Sequence, residues 1–155
     1  VPASRTPSAT AHRYDPWRDL AENWPEISLV VEPMTGLLLG ELRYPVIALR
    51  AGTSAAQRRC TLTHELVHLE RGVRDCGPWA AREEMQVHRE VARRLVTSRD
   101  LAAAIRGLGG TEDIAALAQA LDVDAQTARL RLELVTPTER ARIRASAARD
   151  LWRVA

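Results

Sequence analysis

The stretch Ser54–Gly72 reads as one complete helix, and that helix constrains everything around it. "SAAQ", Ser54 to Gln57, fits a capping box, in which the serine hydroxyl and the glutamine amide satisfy free N–H groups of the first turn. Gly72 suits the left-handed residue that closes a helix, so the element should run to about Arg71. Inside it lies "THELVH", which places His64 and His68 four residues apart with Glu65 directly after the first. Residues at that spacing sit about 6 Å apart along a helix axis and only some 40° apart around it, so both imidazoles can reach one ion from the same face. Glu65 lies roughly 100° round from His64, close enough to contact a metal-held water without taking a coordination position.

Such a helix needs a third ligand and a scaffold. Besides His64 and His68 the chain has only His12 and His88. "REEMQVH" sets Glu83, Glu84 and His88 close together on a following helix. Glu84 and His88 are one turn apart and share a face, which favours Glu84 over Glu83 as the ligand. A carboxylate meeting two imidazoles gives three ligands and leaves a fourth position for water, the open arrangement of catalytic zinc. His88 would then hydrogen-bond a ligating histidine from behind or be a ligand itself. Cys60 also precedes His64 by four, but it sits in an apolar run and reads as a core residue.

The remaining chain suits a small α+β protein. Its 155 residues are 46% hydrophobic but only 4% aromatic, with no Phe, so the core must rest on Leu, Val, Ile and Ala, with Trp17, Trp24, Trp79 and Trp152 as scattered anchors. "VPASRTPSATAHR" lacks any apolar period and reads as a disordered tail over 1–13. Asp15 and Pro16 open a short helix. "ISLVV", "LLLGEL" and "VIALR" follow as three strands with short gaps, which favours a small antiparallel sheet packed on the His-Glu-x-x-His helix. The loop "GVRDCGP" then leads to a second ligand helix begun by Pro78. These parts make a zinc-peptidase-like unit over 14–100, followed by a helical region over 101–155. Two cysteines are too few for a disulfide framework, and no long apolar run is present, so a cytoplasmic protein without a membrane span is expected.

"RRCTLTHELVHLERG" followed by "REEMQVHREVARRLV" resembles the ImmA/IrrE family of metallopeptidases. Thr61, His64, Glu65 and His68 match that family's first motif helix, and Glu84, Val87, Val91, Ala92 and Leu95 match its second. By order of elements the resemblance spans roughly Ile27 to Val135. His88 stands where Asn or Asp is usual, and "VTS" replaces the common Leu-Met-Pro ending. The resemblance implies a thermolysin-like mini-fold, a bound Zn2+, and limited cleavage of a specific protein partner, often a helix-turn-helix repressor of phage or stress genes. Glu65 would take the proton of the attacking water. Tyr44, Arg58 and Arg59 are candidates to stabilise the oxyanion.

A rival reading comes from "IAALAQALDVDAQTARLRLELV", which has a helix-turn-helix look around Asp122. It describes a DNA-binding or protein-interaction regulator with an inactive or structural metal site. Charge opposes direct nucleic-acid binding. From Thr111 to Ala155 there are seven Arg and seven Asp or Glu, and the whole chain carries only +2, too thin a basic face for phosphate neutralisation. The chain therefore reads as a zinc metalloendopeptidase with His64, His68 and Glu84 on the ion and Glu65 as the base.

Overall fold

β3 (Val46–Arg50) is the strand the fold is built around. Ile47, Ala48 and Leu49 are essentially inaccessible to water, as a strand covered on both faces and both edges must be. β1 (Ser28–Glu32) and β2 (Gly40–Arg43) flank it, giving the order β1-β3-β2. The computed structural model describes residues 13–72 and 80–151, excluding the side chains of 146–151. The expected tail up to residue 12, His12, the loop over 73–79 with Cys76 and Trp79, the helix start at Pro78 and Trp152 lie outside the described residues.

The α+β class is as expected, but the sheet is mixed rather than purely antiparallel. β2 pairs with β3 in antiparallel register, Gly40 opposite Leu49 and Arg43 opposite Val46. β1 instead runs parallel to β3, Ser28 opposite Val46 and Glu32 opposite Arg50. β3 takes the protected central place, covered by α2, and separates β1 from β2. The link over 33–39 is long enough to step past one strand spacing of about 5 Å on each side. β2 is also shorter than "LLLGEL" suggests. β3 ends at Arg50 and turns at Ala51 and Gly52, so Leu37 and Leu38 have no ladder partner. They remain in the connecting loop.

α1 (Pro16–Asn23) begins as its sequence dictates, with the Asp15 carboxylate accepting from the Trp17 N–H and Pro16 in the first turn. α2 (Ala55–Arg71) has the full Ser54–Gln57 capping box and ends on Gly72 at φ 66°. It is buried on two flanks. Leu62 and Leu66 pack with Leu20, Ile27, Ile47 and Leu49 beneath the sheet. Cys60 and Val67 join a second apolar cluster with Val87, Val91 and Leu95 of α3 (Ala80–Leu95). That cluster continues through Leu101 of α4 (Ser98–Gly107), Leu117 and Leu121 of α5 (Ile114–Leu121), Ala128 of α6 (Ala125–Glu133) and Ile143 of α7 (Pro137–Leu151). A helix clamped on both sides has little freedom to rotate, so the narrow strip left between its flanks is held at a defined angle.

Two buried arginines lock the C-terminal helices to this frame. Arg59 of α2 donates to the carbonyls of Leu121 and Asp122 at the end of α5, at 3.4 and 2.9 Å, and to that of Tyr14 at 3.1 Å. The first two are carbonyls that a helix end otherwise leaves without partners. Arg131 of α6 donates to the Val96 carbonyl at 2.7 Å and pairs with Glu139 of α7.

Candidate metal centre

The strip of α2 between its two buried flanks carries Thr61, His64, Glu65 and His68, and it faces α3. There the Glu84 carboxylate bridges both imidazoles, with Oε1 3.0 Å from His64 Nε2 and Oε2 3.2 Å from His68 Nε2. The two Nε2 atoms are 3.0 Å apart. Among the described residues these three form the one cluster with ligand atoms all within 4.8 Å of one another. Glu83 points elsewhere and pairs with Arg71, whose guanidinium hydrogen bond holds that carboxyl below its usual range. Adjacent residues on a helix differ by about 100° in direction, which separates the two glutamates.

This triangle fits zinc. Ligand atoms about 2.0–2.1 Å from a tetrahedral zinc lie about 3.3–3.4 Å from one another, a few tenths of an ångström more than the separations between the two imidazoles and from each of them to its nearer Glu84 oxygen. Ligation also needs neutral imidazole, and burial, helped by the neighbouring His68 and His88, pushes His64 down to about 3. His88 sits one turn beyond Glu84, with Nε2 3.3 Å from Glu84 Oε1 and its ring 4.9 Å from that of His64. It touches the carboxylate rather than completing the triangle.

Glu65 lies beside the triangle and is only 6% exposed. Burial pushes its carboxyl up to about 7, with the charges of Glu84 and Glu41 adding to the effect and the Leu42 backbone amide partly offsetting it. The neighbouring strand comes this close because residue 40 is glycine. A Cβ there would lie 2.3 Å from Thr61 Cγ2, 3.2 Å from the Ala48 carbonyl oxygen and 3.4 Å from Glu65 Oε1. The bare backbone of β2 therefore rests directly on the strip that holds the base.

The centre opens into a pocket of about 250 Å³. Its lining includes the Leu37–Gly40 segment and, at the start of α6, Asp124, Gln126 and Thr127. The placement of α6 bears on the helix-turn-helix look. Asp122 does turn the chain, at φ 54°. However, the first turn of α6, the part a recognition helix offers to base edges, faces this pocket, and Thr127, Ala128 and Arg131 are buried.

The oxyanion candidates named by sequence are not brought to the pocket. Arg59 is buried against main-chain carbonyls, and neither Tyr44 nor Arg58 lines the pocket. Cys60 does line it, but its thiol accepts from the Asp124 N–H at 3.3 Å, and burial pushes it up to about 12. It is held as a neutral thiol, in keeping with a core role. Gly40 and the leucines at 37–39 escaped the sequence reading because their part depends on contacts across the fold. The polar wall from α6 escaped for the same reason.

Residues 27–133 match the family model of the IrrE N-terminal-like domain, Peptidase M78. No curated protein and no solved structure matches the chain at a significant level. The family match takes in the three strands, both ligand-bearing helices and α4 through α6, well over half of the chain. With the metal-fitting cluster inside that span, the chain belongs to the IrrE N-terminal-like Peptidase M78 family, a family of zinc metallopeptidases.

Proposed function

We propose that this chain is a cytoplasmic zinc-dependent endopeptidase that makes a limited cut in one protein partner, a helix-turn-helix transcriptional repressor. The observation that carries the catalytic part is the Glu84 carboxylate within 3.0–3.2 Å of both imidazoles, with buried Glu65 beside it and a pocket in front. His64, His68 and Glu84 would hold the ion. Zinc, when bound there, acidifies a water and polarises a carbonyl.

Glu65 supplies the proton traffic. A buried carboxylate beside the ion site takes a proton from the attacking water and passes it to the leaving amine, because it stands within reach of both without being a ligand. Burial limits the number of orientations Glu65 can adopt, and the packing of β2 on Thr61 fixes its distance from the strand. His88 serves as the positioning residue for Glu84, steadying the oxygen that also faces His64. An extended substrate would lie along the outer edge of β2, where no strand pairs among the described residues, and would be recruited by main-chain hydrogen bonds. The repressor as partner rests on the family resemblance.

The test has two parts. Metal analysis of purified protein should find close to one zinc per chain, with Glu84→Ala losing far more zinc than Glu83→Ala. Co-expression with the product of a neighbouring repressor gene should yield discrete fragments, and Glu65→Gln should keep the zinc but abolish them. Zinc-free protein that still cuts would refute the metal role. A zinc-loaded protein that binds the repressor intact would make it a partner-binding member without cleavage.

A further inference from the structure

Leu37 and Leu38 are 96% and 57% exposed, whereas the other described leucine side chains are buried or half-buried. They stand side by side in the link between β1 and β2 and, with Leu39, line the pocket in front of the metal-fitting cluster. Exposed apolar clusters beside a cleft mark binding surfaces, whereas scattered single leucines do not. The segment is also held in place. Arg50, at the end of the central strand, donates through Nη1 to the carbonyls of Gly36 and Leu38 at 2.7 and 3.2 Å. Its backbone N–H donates to the Leu39 carbonyl at 2.8 Å. Three main-chain carbonyls of one short loop are thus fastened to one residue, which fixes the backbone of the leucine segment at the end of the central strand.

We infer that Leu37, Leu38 and Leu39 form an apolar subsite that selects a peptide substrate carrying a leucine-sized aliphatic side chain next to the scissile bond. This deepens the peptidase reading and rests on it. Val91 and Cys60 also line the pocket. The part of the lining that comes from the start of α6 is different in kind: Asp124, Gln126 and Thr127 are polar. A side chain entering the pocket therefore meets hydrocarbon on the Leu37–Leu39 side. The whole space is about 250 Å³, and the scissile peptide group must share it. Room is left for one side chain of moderate size, and the three leucines favour an aliphatic one on their side. Gly40 leaves the junction between subsite and base clear, because it has no side chain to stand between the leucines and Glu65.

The experiment uses the zinc-loaded full chain and two probes, N-acetyl-leucine hydroxamate and N-acetyl-glycine hydroxamate, titrated by calorimetry. Both carry the same zinc-binding group and differ in one isobutyl side chain. Burying that side chain should make the leucine compound bind roughly ten- to a hundredfold tighter. Replacing both exposed leucines, Leu37→Ser with Leu38→Ser, should shrink the ratio to about threefold or less while leaving the glycine compound's Kd unchanged. Because both positions are exposed, the variant is expected to fold normally. Equal Kd values in the unsubstituted protein would overturn the subsite, and so would a ratio that survives the double substitution. Failure of both compounds to bind would instead overturn the zinc-centre reading on which the subsite rests.

Discussion

Replacing Gly40 by alanine adds one methyl group at the most crowded point of the site. The new carbon would lie 2.3 Å from Thr61 Cγ2 and 3.2 Å from the Ala48 carbonyl oxygen. Carbon atoms in ordinary contact sit about 3.5–4.0 Å apart, so β2 and α2 must separate by more than about 1 Å or Thr61 must turn away. The Ala48 oxygen is main chain of the central strand and cannot yield, and Thr61 is itself buried. Overpacking of this kind costs about 1–3 kcal/mol. For a chain of this size that is a fall in Tm of roughly 2–12 °C. Thr61→Ser removes the clashing methyl and keeps the hydroxyl, so Gly40→Ala combined with Thr61→Ser should recover most of the loss. Thermal unfolding of the four proteins, each loaded with zinc, gives the complete double-mutant cycle. The ligands sit on α2 and α3, so zinc content should be the same in all four. If Gly40→Ala melts with the unsubstituted protein, or Thr61→Ser brings no recovery, the close seating of β2 on the strip of α2 is not what glycine is there for.

Two further outcomes follow from the buried charges. Glu65 is raised from its ordinary carboxylic range to about 7, so its contribution to stability is full below about 4.5 and is lost as pH rises toward 7. In metal-free protein, Glu65→Gln should therefore raise Tm more at pH 8 than at pH 5. An equal gain at both values would show that the carboxylate carries no burial penalty. His64 runs the other way, losing its contribution as pH falls from about 6.5 toward 3, but that change is common to both proteins and cancels in the comparison. Arg131→Met removes the cation from a pair whose side chains are 5% and 14% exposed and also strips the Val96 carbonyl of its donor. Urea unfolding should show a loss of about 3–5 kcal/mol. A loss below about 1 kcal/mol would class the pair with surface ion pairs.

How much of this was legible beforehand divides by the range of the interactions involved. The caps of α1 and α2 could be read from Asp15, Ser54, Gln57 and Gly72 because a capping side chain and the N–H groups it serves lie within four residues of each other. The pairing of His64 with His68 is equally local, and the separation of Glu84 from Glu83 follows from the pitch of a single helix. Sheet order has no such local signature. "ISLVV" and "VIALR" have similar apolar strength, and their choice of a parallel pairing depends on which run can be covered on both faces once α2 has docked. The Leu37–Leu39 segment shows the limit most directly. As a string it is indistinguishable from the start of a buried strand, and only the termination of β3 at Arg50 leaves Leu37 and Leu38 without a ladder partner. The same arginine then ties it down through Gly36 and Leu38. A residue's place in a ladder thus depends on where its partner strand stops. Where that happens beside a catalytic cluster, hydrophobic residues that would otherwise have been core become surface that a substrate can use.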